Sequence, residues 1–205
     1  EHSPYDALVD DATLTEMRRR GTVVCPTVFV IEGLLSRQWA GGRVADDFIR
    51  MRLLPPLRAQ LDRDGGFRWI EWVPEKYRLW FRDRISADME RRLQTVYDNV
   101  RRLMKAGIPV VAGSDAGNPD VYHGPGLLHE VEALGRAGLT PVQALHAATA
   151  EAGRVLNMPI GRIHTGYAAD LVILAQDPTT DVRRLRTIRE VVYRGRVYTV
   201  EELLR

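Results

Sequence analysis

At 205 residues, 45% of them hydrophobic, the chain is long enough to bury a real core and sized for one large domain or one and a half smaller ones. Its 29 Lys and Arg nearly balance 27 Asp and Glu, leaving a formal charge of +2. That excludes a general polyanion-binding field, and 7% aromatics with no glycine-interleaved aromatic motif gives little basis for a nucleic-acid surface. The single cysteine, Cys25, excludes an internal disulfide and a cysteine-based zinc site, and no apolar run nears the roughly 18 residues of a membrane span.

The chain opens Glu1-His2-Ser3-Pro4 rather than on methionine, which predicts that its natural beginning lies further upstream. Asp10 or Asp11 then caps a helix carrying Leu14 and Met17, which ends at Gly21 behind Arg18, Arg19 and Arg20. Acid at the start, base and glycine at the end fit the helix dipole and capping rules. These arginines, like Arg183 and Arg184, read as solvated helix faces. A strand is expected at Thr22 to Cys25, emerging into a loop at Pro26-Thr27, with Cys25 a small packed thiol.

Glu32 to Arg84 is broken by Gly41-Gly42, Pro55-Pro56, Gly65-Gly66 and Pro74. It is too long for a bare loop and too rich in Trp, Phe, Leu and Met for disorder, so it reads as a helical insertion or lid, with Trp39, Trp69, Trp72 and Trp80 as packing residues. Ile85, Met89, Leu93, Val96, Val100 and Leu103 then recur at spacings of three and four. They mark a helix capped by Ser86 and closed by Gly107 and Pro109.

The apolar run Val110 to Ala112, followed at once by Gly113-Ser114-Asp115-Ala116-Gly117, reads as a buried strand delivering a carboxylate to the carboxyl edge of a sheet. That edge is where α/β enzymes place their chemistry. Two helices are expected next, one over Gly124 to Ala137 and one starting at Thr140 with Pro141 in its first turn and running through Ala152. Beyond Met158-Pro159 the texture turns to β: a strand at Leu171 to Ala175, and a hairpin of Val191 to Tyr193 and Arg196 to Tyr198 about Arg194-Gly195. Asp170 reads as the anchor of a turn or domain contact, and Asp177-Pro178 as a turn.

His2 stands at what looks like a strand exit, and His123 and His129 lie in and after the Asp115 loop. His146, His164 and the His129-Glu130 pair are expected to be surface or structural residues. His2 and Asp115 have the types a metal hydrolase gathers from different strand ends, but two ligands do not complete a site. The chain carries no HxH and no HExxH.

Gly113-Ser114-Asp115-Ala116-Gly117, His123-Gly124, Ala137-Gly138-Leu139-Thr140-Pro141, Ala144-Leu145 and Ala147-Ala148-Thr149 together resemble the amidohydrolase superfamily. Ile160-Gly161-Arg162-Ile163, Gly166 to Val172 and Asp177-Pro178 continue its pattern in order and spacing, nearest to the imidazolonepropionase-like and prolidase-like branch. Glu1-His2, Asp10-Asp11, Gly21 and Pro26-Thr27 resemble the family's strand-six histidine, the helix after it and the strand-seven exit.

The resemblance implies an α/β fold: the C-terminal part of a (β/α)8 TIM-type barrel over residues 1–158, with a helical insertion at about 32–105, plus part of a small β-sandwich over 159–205. It implies that His2 binds one divalent metal, that Asp115 binds the other and acts as general base, and that His123 contacts substrate. Zinc is the expected ion, one or two in an intact enzyme, supplying an activated water and a polarised carbonyl. An HxH on strand one, a carboxylated lysine or glutamate on strand four and a histidine on strand five complete the family's site, and this chain has no such positions.

The reading that follows is a C-terminal fragment of a hydrolase cleaving the C–N bond of a peptide-like substrate, such as a Xaa-Pro dipeptide, or of a cyclic amide. It would work on small molecules in the cytoplasm, away from nucleic acid and membrane, with homo-oligomerisation and an export signal upstream of Glu1 left open. The alternative is a non-catalytic split or decayed amidohydrolase-like module. A phosphate-binding doubly wound fold is disfavoured because neither GxGxxG nor GxxxxGK[ST] occurs.

Overall fold

The computed structural model describes residues 2–32, 88–118 and 121–204. The expected insertion with its tryptophans, and the cap at Ser86, lie largely outside them. Helix α1 (Asp11–Arg19) begins where the acidic pair predicts: the Asp10 carboxylate accepts from Thr13 N–H. The long amphipathic helix α2 (Met89–Lys105) buries Val96, Val100 and Leu103 almost completely.

Helix α2 is tied to the start of the chain by Asn99, which is fully buried. Its Oδ1 accepts from Val9 N–H (2.9 Å), and its Nδ2 donates to the carbonyls of Pro4 (2.9 Å) and Ala7 (3.0 Å). One side chain thus satisfies three backbone groups that have no helix or strand partner. Asn99→Ala is expected to cost about 2 kcal/mol, since orphaned buried polar groups are expensive, and urea unfolding measures it.

The expected strands at Thr22 to Cys25 and Val110 to Ala112 meet as a single parallel bridge, Val24 to Val110, rather than as a continuous ladder. Val24 N–H donates to Pro109 O (3.0 Å) and Val111 N–H to Val24 O (2.9 Å). Pro26 and Pro109 flank the bridge and offer no amide donor to extend it. The segments still lie close. A Cβ placed on Gly113 would meet Cys25 Sγ at 2.4 Å, so any larger residue at 113 would have to displace the Cys25 side chain.

Helix α3 (Pro125–Arg136) packs on α4 (Pro141–Ala148), which carries the expected Thr140 cap completed by Gln143 as a capping box. The single helix expected to run through Ala152 is instead two, because Thr149 leaves helical geometry at φ −128°, ψ −92° and α5 (Ala150–Val155) restarts after it. The turn at Gly161 accounts for the break. Its Cα approaches so closely that an added Cβ would lie 2.2 Å from the Thr149 carbonyl oxygen.

The C-terminal part forms a three-stranded antiparallel sheet in the order β1 (Leu171–Leu174), β2 (Ile188–Tyr193), β3 (Arg196–Thr199), with the short helix α6 (Val200–Leu203) packed on β2 and β3. Arg194 and Gly195 both have positive φ, the type I′ requirement, and the Asp170 carboxylate holds this turn by accepting Arg194 N–H (3.1 Å). The 3₁₀ turn Val182–Arg186 joins the sheet to α3, where Arg186 forks onto Glu132. The described fold is therefore α/β, helices with an open three-stranded sheet. None of its described helices is long and apolar enough to cross a membrane.

Candidate functional site

Three chain segments end side by side. Ser3 N–H donates to Pro26 O (3.3 Å) and Val24 bridges Val110, so the 2–4, 24–27 and 110–115 segments bring His2, Thr27 and Asp115 together. His2 Nε2 lies 3.8 Å from Asp115 Oδ2, with both side chains open to solvent. The other ring nitrogen, Nδ1, is 2.6 Å from Thr27 Oγ1, and the Thr27 hydroxyl donates to Pro26 O at 2.8 Å.

Asp115 sits at φ 48°, a left-handed conformation that aspartate tolerates. Asn118 holds it there, its amide donating to Asp115 Oδ2 (2.7 Å) and to the Asp115 carbonyl (3.1 Å). Thr27 at φ 49° is a different case, since a β-branched residue in that region carries roughly 1–2 kcal/mol of strain. The backbone directly after it is pinned from α3. Val28 N–H donates to Glu130 Oε1 (3.0 Å) and Phe29 N–H to Glu130 Oε2 (2.7 Å), at the first turn of the helical segment 28–32.

Glu130 is fully buried. Burial pushes its carboxyl up to about 7, against the pull of the Phe29 and Val28 N–H groups; Glu32 adds to the rise and Arg136 opposes it. Glu32 in turn accepts from Tyr97 Oη (2.6 Å) and is forked by Arg136. Burial and the Glu32 bond push the Tyr97 phenol up to about 12. His129 and Glu130, expected on the helix surface, are both buried, with the His129 ring stacked on Phe29 at 4.7 Å between centroids. The cause is that α3 turns this part of its face to the segment leaving Thr27.

His123 lies in the exposed turn before α3 and makes no hydrogen bond or ion pair among the described residues. The structure therefore does not bring it against His2 or Asp115 in the way it brings those two together. His146 is exposed on α4, and His164 is exposed with Nδ1 2.8 Å from Thr165 O. The sequence places Thr27 in a strand-exit loop and Glu130 on a helix surface and gives neither a site role. The signal for Glu130 was an acid in line with the buried stripe of Ala133, Leu134 and Ala137; for Thr27 it was only its place at a strand exit.

A divalent ion fits the pair in part. Zinc takes imidazole nitrogen and carboxylate oxygen at about 2.0–2.2 Å, so donors up to about 4 Å apart reach one ion, and His2 and Asp115 lie within that limit. Their chemistry suits zinc, manganese or iron. Among the described residues no group of three or more His, Cys, Asp or Glu is placed to hold an ion, whereas a catalytic zinc takes three protein ligands. The described residues bring together His2 and Asp115 and no third such group.

The profile of the amidohydrolase family matches residues 75–200, more than half of the chain. An uncharacterized protein of Mycobacterium tuberculosis strain H37Rv is 39% identical over 113 residues, 55% of this chain and 30% of that protein. The imidazolonepropionase of Anaeromyxobacter sp. strain K is 41% identical over 80 residues, 38% of this chain and 18% of the enzyme. A crystal structure of a Xaa-Pro dipeptidase with bound methionine in its active site superposes with TM-score 0.64 at 20% identity, covering 93% of this chain and 38% of the dipeptidase; at that identity the likeness speaks for the fold alone. The chain thus spans well under half the length of the relatives it matches. With the Asp115 loop, the α3–α4 pair and the three-stranded sheet inside one family profile, this chain belongs to the amidohydrolase family.

Proposed function

We propose that this chain is an amidohydrolase-like module that carries part of a divalent-metal site and does not hydrolyse amides by itself. The observation that carries this reading is the pairing of His2 with Asp115 and no third ligand among the described residues. In this reading residues 1–158 correspond to the last strands and helices of a (β/α)8 barrel, with an insertion at about 32–105, and residues 159–205 to part of its small β-sandwich.

Combined with the missing ligands, the module would serve a hydrolase of C–N bonds in peptide-like or cyclic amides. The family match supports this second reading. A divalent ion bound there would supply Lewis acidity toward the carbonyl and acidity to the attacking water. Asp115 would take a proton from the attacking water and return it to the leaving nitrogen. His2 would help hold the ion, and His123 would contact the substrate from the loop before α3.

The test is to incubate the chain with Zn²⁺ or Mn²⁺ and a panel of Xaa-Pro dipeptides and cyclic amides. The expected result is no turnover above buffer. Turnover that disappears with a chelator and in Asp115→Asn would overturn the module reading and make this chain a hydrolase in its own right.

A further inference from the structure

The contacts of Thr27 determine more than its position. Its hydroxyl has one proton, and Pro26 O, 2.8 Å away, can only accept. With the hydroxyl donating to Pro26 O, the contact of 2.6 Å between Thr27 Oγ1 and His2 Nδ1 is made by a ring that donates, whereas a hydroxyl turned to Nδ1 would select the other tautomer. We propose that Thr27 is a positioning residue that holds the neutral His2 ring in its Nδ1–H tautomer, leaving the Nε2 lone pair on the side of Asp115.

Three further observations converge on this role. Thr27 is buried, so water does not compete for its hydroxyl, whereas the His2 ring is open to solvent and would otherwise choose its tautomer freely. The residue is held in a left-handed conformation unusual for threonine, and its neighbours Val28 and Phe29 are both bound to Glu130. Pro26 O also accepts Ser3 N–H, so the same carbonyl that orients the hydroxyl anchors the segment bearing His2. An imidazole ligand presents the lone pair of one ring nitrogen, and a hydrogen bond at the other nitrogen is how proteins fix which one. The proposal rests on the metal-site reading for its purpose, but not for its chemistry.

Long-range ¹H–¹⁵N NMR of the whole chain, with the histidine rings neutral, reads the tautomer directly. In the wild-type chain His2 is expected to favour Nδ1–H by roughly tenfold or more, unlike exposed His123 and His146, which serve as references in the same spectrum. Thr27→Val keeps the shape, removes the hydroxyl and should bring His2 to the ratio of those references; Thr27→Ser should restore the preference. A wild-type His2 ring protonated on Nε2 overturns the proposal without any variant, as does a Thr27→Val chain that keeps the Nδ1–H preference. Zn²⁺ added to the wild-type chain tests the other reading separately. If Nδ1–H dominates yet Zn²⁺ leaves the Nε2 signal unmoved, the tautomer assignment stands and the metal-site reading fails.

Discussion

Asp115→Asn is expected to lower turnover by at least about 100-fold in a form of the protein that carries the complete metal site, the scale on which a general base contributes. The substitution leaves the local structure in place. Asparagine tolerates the left-handed backbone at φ 48°, and its amide oxygen can still accept the 2.7 Å bond from Asn118. The side chain is open to solvent, so stability should change by no more than about 0.5 kcal/mol. What asparagine cannot do is take a proton from the attacking water. Steady-state kinetics beside an unfolding curve separates the two effects, and near-normal turnover would remove Asp115 from the reaction.

The wild-type chain is expected to lose stability as pH rises from about 5 to 8, through Glu130. Its folded-state carboxyl titrates near 7 and an unfolded one near 4.5, so between these values the folded chain holds a proton that the unfolded chain has released. Stability from this group is therefore complete below about 4.5 and is lost through about 7, a difference on the order of 3 kcal/mol. The other shifted carboxyls among the described residues, such as Asp10, Glu16 and Asp181, are lowered. Their contributions are present above the ordinary carboxylate range and vanish below it, so they add no slope between pH 5 and 8.

Glu130→Gln removes the titration and turns an amide NH₂ toward a backbone N–H of Val28 or Phe29, leaving donors facing each other in the interior. About 3 kcal/mol should be lost at pH 5, less at pH 8, with the pH dependence flattened. Urea unfolding at the two pH values measures both. A variant that keeps the wild-type slope would show that the slope comes from another group.

Most of the local features could be read from a few neighbouring residues. Asp10 caps α1, Thr140 with Gln143 caps α4, and Arg194-Gly195 turns the hairpin, because each is decided within about four residues by bonds the side chains make to their own backbone. The Gly113 to Gly117 loop and the Thr140-Pro141 start also carry the family pattern, and the family profile spans both.

Long-range placement was a different matter. The helix expected to run unbroken from Thr140 stops at Thr149 because Gly161, twelve residues on, closes against its carbonyl. An acid at 130 and a histidine at 129 look like surface until α3 is packed against the segment leaving Thr27, 102 residues away for the bond to Val28. The caps of α1 and α4, the hairpin turn, the family pattern and the two residue types suited to a metal are legible in the residues alone. Packing alone sets His2 at 3.8 Å from Asp115, places Thr27 against its other nitrogen and puts the Glu130 carboxyl in the interior. Local bonds are encoded in adjacent residues, whereas burial and the partner of a polar atom depend on which distant segments the packed core brings together.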